Sequence, residues 1–175
     1  MPIRKHKKYN KPRKLYDVAI IKEEQGLIKR YGLKTRREVW KADFAISKIR
    51  SIAKTLITAD EKEKQDFVER QAKKGFKVEN IADVLGLNKE DLLKRRLQSV
   101  LVTKKLSPTY KHSRQLIAHK HVTINGKIID SPAHLTTIEE EMNVGLNIVV
   151  PVKKIISDEE KELLAVMKPK EEVSE

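Results

Sequence analysis

Between Asp91 and Asp130 the chain carries nine Lys or Arg residues and no acid, although Asp and Glu supply 25 of its 175 residues. Lys94, Arg95, Arg96, Lys104, Lys105, Lys111, Arg114, Lys120 and Lys127 hold the charge, with Tyr110, His112, Ser113, His119 and His121 interleaved. Lysine and arginine neutralise phosphates and displace their counterions. Imidazole and phenol rings stack on unpaired bases or reach base edges. Metal ligation or acid–base catalysis by His112 and the His119-Lys120-His121 triplet is the competing reading. A metal site recruits carboxylates or thiolates as ligands and supports, and the run contains none. Its cations would also repel a divalent ion. The six scattered glycines form neither G-x-G-x-x-G nor G-x-x-x-x-G-K, so no phosphate-cradling loop is encoded. The residue types point to polyanion binding, with no catalytic centre, metal or cofactor.

Such side chains need a frame, and the intervening apolar residues specify one. Leu93, Leu97, Val100 and Leu101 fall at i, i+4, i+7 and i+8, the stripe of one amphipathic helix. Ser107-Pro108 interrupts it, and a second short helix carries Leu116 and Ile117 on one side. Two β-branched runs then flank Asn125-Gly126, a strong hairpin signal. Arg96 is open between a phosphate contact and a brace for the packed helices.

A net charge of +13 is the footprint of a polyanion binder. No apolar run approaches the ~18 residues of a membrane-spanning helix, and the basic start MPIRKHKKYN lacks the apolar core of a signal peptide. Zero cysteines exclude disulfides and thiolate metal sites, and agree with a reducing cytoplasm. With 39% hydrophobic and only 5% aromatic residues, the core must be aliphatic and modest.

Residues 1–14 hold Arg4, Lys5, Lys7, Lys8, Lys11, Arg13 and Lys14 without one acid. Too few apolar groups accompany them to offset the entropy of ordering, so a mobile arm that orders on phosphate is expected. Residues 18–31 read as a helix ended by Gly32, and Thr35-Arg36-Arg37-Glu38 reads as a capping box. Behind it Val39, Ala42, Ala45, Ile46, Ile49, Ile52, Ala53 and Leu56 keep helical spacing. Arg37, Lys41 and Lys48 share the opposite face and, with Arg36, form a second set of candidate polyanion contacts. Residues 60–74 balance five acids against five bases and read as a solvated helix. A short helix ends at Gly86, and Asn88 caps the next. The chain turns at Ser131-Pro132; residues 147–152 are expected as a further strand of the small sheet. Residues 157–175 hold seven acids and three bases, and read as a short helix and tail turned away from nucleic acid. The fold class is α+β. Residues 1–17 form a basic arm, 18–90 a helical domain, 91–155 the helix-helix-hairpin domain and 156–175 an acidic tail.

A DNA-binding regulator is the alternative. Residues 81–87, IADVLGL, followed by a basic helix imitate a helix-turn-helix. Against it, Leu92, Leu93, Leu97 and Leu101 must bury much of the presumed reading helix, and positive charge continues beyond it into the hairpin.

The residues Arg96-Leu97, Ser113-Arg114-Gln115-Leu116-Ile117, His119-Lys120-His121-Val122 and Asn125-Gly126 resemble the RNA-binding domain named after small-subunit ribosomal protein four. Family members usually carry Gly at the position of Lys120. Independently, Tyr31-Gly32-Leu33 and Arg36-Arg37-Glu38-Val39-Trp40 resemble the archaeal and eukaryotic branch of that ribosomal family. The two resemblances occur in the family's order and span about residues 2–155. They imply an alpha-L type RNA-binding domain in a structural, non-enzymatic constituent of the cytoplasmic small ribosomal subunit. They imply binding to the five-prime domain of small-subunit ribosomal RNA, a role in assembly and decoding accuracy, and neighbours including small-subunit protein five. Pseudouridine synthases share the module, but need a catalytic aspartate on a large separate domain for which this chain has no room. Bacterial relatives often hold zinc near the N-terminus through cysteines; without cysteine, no metal is expected here.

Overall fold

The computed structural model describes residues 8–147. Residues 8–14 form neither helix nor strand, yet Tyr9 stacks on Trp40 with ring centroids 6.2 Å apart. Among the described residues the arm expected to be mobile is thus tied to the folded protein at Tyr9, and again at Leu15, whose carbonyl accepts from Arg36 at 3.2 Å. Arg4, Lys5 and Lys7 lie outside the described residues.

Helix α1 (Val18–Arg30) starts where the Asp17 carboxylate accepts the Ala19 amide at 3.0 Å. It ends where the Leu33 amide donates to the Ile28 carbonyl at 3.0 Å, which requires the left-handed backbone of Gly32, φ 57°. A Cβ on Gly32 would also lie 2.8 Å from the Cβ of Tyr110, so the glycine permits both the turn and a close approach. Helix α2 (Arg36–Leu56) buries Val39, Ala42, Ile46 and Ala53. Its expected capping box does not form: the Thr35 side chain makes no cap bond. Glu38 accepts the Lys34 amide, and most of its carboxylate is drawn elsewhere. Helix α3 (Glu61–Lys73) is mostly solvated, as its balanced charge implies, but buries Phe67 and Gln71. Asn80–Asp83 and Asn88–Asp91 capping boxes open α4 (Ile81–Gly86) and α5 (Lys89–Lys94). These five helices enclose one core, including Leu27, Ile46, Phe67, Val84 and Leu93.

The central stripe of the sequence is not one helix. After α5 the chain straightens at Arg96, φ −71° and ψ 144°, and then enters α6 (Leu97–Thr103). The straight link is held by the Leu97 amide donating to the His134 carbonyl at 2.8 Å, and by the Thr136 amide donating to the Arg95 carbonyl at 3.1 Å. Leu93 belongs to the first core, whereas Leu97 and Leu101 belong to a second with Leu116, Ile117, Val122 and Ile124. Helical spacing therefore joined side chains that serve two cores.

Helix α7 (Tyr110–Ala118) packs against α6 and leads into a three-stranded sheet of order β2-β1-β3. Strands β1 (Val122–Ile124) and β2 (Lys127–Ile128) pair with Ile124 opposite Lys127. Asn125 and Gly126 have φ of 50° and 76°, the two positive angles of the expected type I′ turn. Strand β3 (Val144–Leu146) pairs antiparallel to β1, Val122 opposite Leu146. The further strand thus ends one residue before the stretch expected to form it; residues 148–152, and the expected helix and tail at 157–175, lie outside the described residues. Before β3 comes α8 (Ile138–Met142), capped reciprocally by Thr137 and Glu140. The sequence Thr137-Ile138-Glu139-Glu140 held that capping box in plain view, although the reading above placed no helix there.

Candidate nucleic-acid interface

The basic surface is built on a junction between the two cores. Glu38 accepts one hydrogen bond from Arg96 at 3.0 Å and two from Arg114, at 2.9 and 3.2 Å. The side chain of Arg96 is 7% exposed and that of Glu38 14%. Burial by itself pushes the Glu38 carboxyl up, but the bond from Arg114 and the charges of both guanidiniums outweigh it and hold the pKa below the ordinary carboxylate value. Alongside, the buried Gln98 amide donates to the carbonyls of Tyr31, Gly32 and Tyr110 at 3.1, 3.2 and 2.8 Å. Ser113, wholly buried, donates to the Gln98 carbonyl at 2.8 Å. The rings of Tyr31 and Tyr110 meet edge to face at 5.8 Å. Burial, then the neighbouring Glu90 carboxylate, push the Tyr31 hydroxyl above its usual pKa.

The structure divides the candidate RNA contacts into those it occupies internally and those it leaves at the surface. Ser113 is corrected: a side chain with no exposed area cannot meet a ligand. Arg95 donates to Glu141 at 2.7 Å, to the Thr136 carbonyl at 3.0 Å and to the Lys74 carbonyl at 3.1 Å. Lys104 caps α8 through the Glu141 carbonyl, and Arg36 pairs with the buried Glu24, which also accepts the Trp40 indole at 2.7 Å. Tyr110 spends one ring edge or face on Tyr31. Lys94 lies 3.4 Å from Asp91, an exposed pair. By contrast Lys105, Lys111, Lys120 and Lys127 are exposed and make no ion pair among the described residues. The same holds for Arg37, Lys41 and Lys48 on α2 and for Lys8, Lys11, Arg13 and Lys14 of the arm. The His119 and His121 rings stack at 6.1 Å, and His112 Nδ1 lies 3.1 Å from Ser107 Oγ.

Two exposed lysines sit in costly backbone. Helix α6 ends with the Leu106 amide on the Leu101 carbonyl, and α7 with the His121 amide on the Leu116 carbonyl, both at 3.0 Å. The left-handed residue in each turn is Lys105, φ 58°, and Lys120, φ 64°. Glycine fills that position at the lowest cost.

Comparison with known proteins agrees with this architecture. The S4 domain family matches residues 95–141, which begin at the straight link and end in α8. Small ribosomal subunit protein uS4 of Methanosphaera stadtmanae is 35% identical over 98% of this chain and 98% of its own length. The chain belongs to the uS4 family. The uS4 protein of Methanothermobacter thermautotrophicus is 35% identical over 89% of the chain and 94% of its own length, and that of Nanoarchaeum equitans 40% over 67% and 70%. As a uS4 protein the chain is not an enzyme, and the DNA-binding alternative falls. Its presumed reading helix, α5, has six residues and buries Leu92 and Leu93.

The sequence reading missed Glu38, Gln98, Glu24 and Glu141 as organisers. A signal existed for Glu38: an acid beside Arg36 and Arg37, in a chain whose central run holds no acid, is the obvious partner for that run's arginines.

Proposed function

We propose that this uS4 protein is a structural constituent of the small ribosomal subunit, held by phosphate contacts from its exposed lysines. Lys105 and Lys120 carry the reading. Each occupies a left-handed helix end that costs about 1–2 kcal/mol for a residue with a Cβ, and each is exposed without a carboxylate partner among the described residues. Strain of that kind persists where the side chain has a use, and a cation in a uS4 protein finds it in phosphate. Lys111 and Lys127 extend the same contact, while His119, His121 and His112 supply stacking or phosphate donation. Arg37, Lys41, Lys48 and the arm are proposed as a second contact region. Arg95, Arg96 and Arg114 are assigned to bracing.

The finer proposal is recognition of a multi-helix junction in the five-prime domain of small-subunit ribosomal RNA, early in assembly. Proximity to small-subunit protein five, an influence on decoding accuracy and a cytoplasmic location belong to the same proposal. Structured RNA presents a wide shallow groove and 2′-hydroxyls, so shape would dominate over base readout. Binding of the full chain to a five-prime-domain transcript and to duplex DNA of equal length, at matched salt, tests the reading. The transcript should bind more tightly, and equal affinities would refute RNA specificity.

A further inference from the structure

We infer that the groove between the C-terminal end of α2, α3 and α4 is a docking site for a basic segment of a neighbouring protein in the same particle. The groove encloses about 620 Å³, with Ile57, Val68, Ile81 and Leu85 as its apolar lining. Ile57 remains 52% exposed, a large aliphatic group left wet at the mouth of a cavity. Glu61, Glu69 and Glu79 line the same groove against one cation, Lys64. In a chain of net charge +13, this locally negative surface repels phosphate. RNA is therefore the wrong occupant, and a surface that is apolar inside and anionic around it is complementary to an aliphatic or aromatic anchor flanked by Lys or Arg. Proteins that assemble on RNA carry such segments because they too must neutralise phosphates.

The inference rests on the chain's place in the small subunit, but names a site and a partner chemistry that this place does not supply.

A photo-crosslinking benzoylphenylalanine in place of Gln65, an exposed residue of the groove lining, tests it in purified small subunits. Incorporation is read first by sedimentation. A chain that never enters the subunit refutes the proposed function, and with it the setting of this inference. In particles that do contain the chain, the expected adduct is a peptide of another subunit protein with an aliphatic or aromatic residue flanked by Lys or Arg. Its yield should fall about fivefold or more at physiological salt in the combined Glu61→Gln, Glu69→Gln, Glu79→Gln variant, because rim charge sets encounter and register. An adduct to ribosomal RNA, to either terminal segment of this same chain or to a second copy of it overturns the proposal. So does an acidic partner peptide, the absence of any adduct, or a yield indifferent to the three glutamates.

Discussion

Replacing Lys105 and Lys120 together by glycine should make the free protein more stable and its RNA complex weaker. Each substitution relieves a left-handed backbone, φ 58° and 64°, that costs about 1–2 kcal/mol in a residue with a Cβ. Against that stand about 0.7 kcal/mol for the extra freedom of glycine in the unfolded chain and about 0.3 kcal/mol for a cation lost from an exposed helix C-terminus. The net gain is about 0.5 kcal/mol per site, or about 1 kcal/mol for the pair, which in a chain of this size raises Tm by roughly 2–4 °C. Binding should move the other way. Two lost phosphate contacts lower the slope of log affinity against log salt by about 1.8. The double alanine variant separates the causes, since alanine removes the charge and keeps the strain. It should lose the same salt slope without the gain in stability. Urea denaturation of the free protein and filter binding over a salt series read both quantities. Glycine variants that are less stable than the parent, or that keep its salt slope, would refute the reasoning.

Glu38→Gln should destabilise the free protein by about 3 kcal/mol, because it strands the buried Arg96 guanidinium while the more exposed Arg114 can turn to water; a loss below about 1 kcal/mol in urea would show that the junction is not held by this group. Because the folded-state pKa of Glu38 is depressed, its contribution is full above the ordinary carboxylate value and fades as pH falls through the lowered one. Acid titration of stability should show that loss in the parent and a smaller one in Glu38→Gln. Gly126→Val should lower the melting temperature although no atom lies within 4 Å of the added Cβ, since the cost is the positive φ a β-branched residue resists, about 1–3 kcal/mol. An unchanged Tm by circular dichroism would mean the turn tolerates that backbone.

What could be read from the sequence was what local chemistry decides. The hairpin followed from Asn125-Gly126, the end of α1 from Gly32 and the start of α5 from Asn88, because each answers to a few neighbouring residues. The misreadings share an opposite cause. Leu93, Leu97 and Leu101 keep helical spacing, yet the backbone straightens between the first two because Arg95 and Leu97 pair with residues 134–136, some forty positions away. Thr35 and Glu38 have capping-box spacing, but two guanidiniums from Arg96 and Arg114 compete for the carboxylate. Charged partners outbid a neutral backbone donor. In both cases a tertiary contact overrode a local preference that was itself correctly seen.

The cations of the acid-free run divide by chemical type. All three arginines of the acid-free run, Arg95, Arg96 and Arg114, are turned to carboxylates within the fold. Four of its six lysines, Lys105, Lys111, Lys120 and Lys127, are exposed and make no ion pair among the described residues. A guanidinium is planar, weakly hydrated and able to bond a carboxylate through two nitrogens, so it suits a junction from which water is largely removed. An ammonium is a compact, strongly hydrated charge that loses more on burial and remains in water until a phosphate replaces part of its shell. In a small basic domain with few acids, the acids present select the arginines as struts and leave most of the lysines in solvent. The same division holds on α2, where Arg36 is committed to Glu24 while Lys41 and Lys48 stay in solvent. Arg37, exposed one residue further on, marks the limit of the rule: an arginine that forms no ion pair among the described residues stays in solvent.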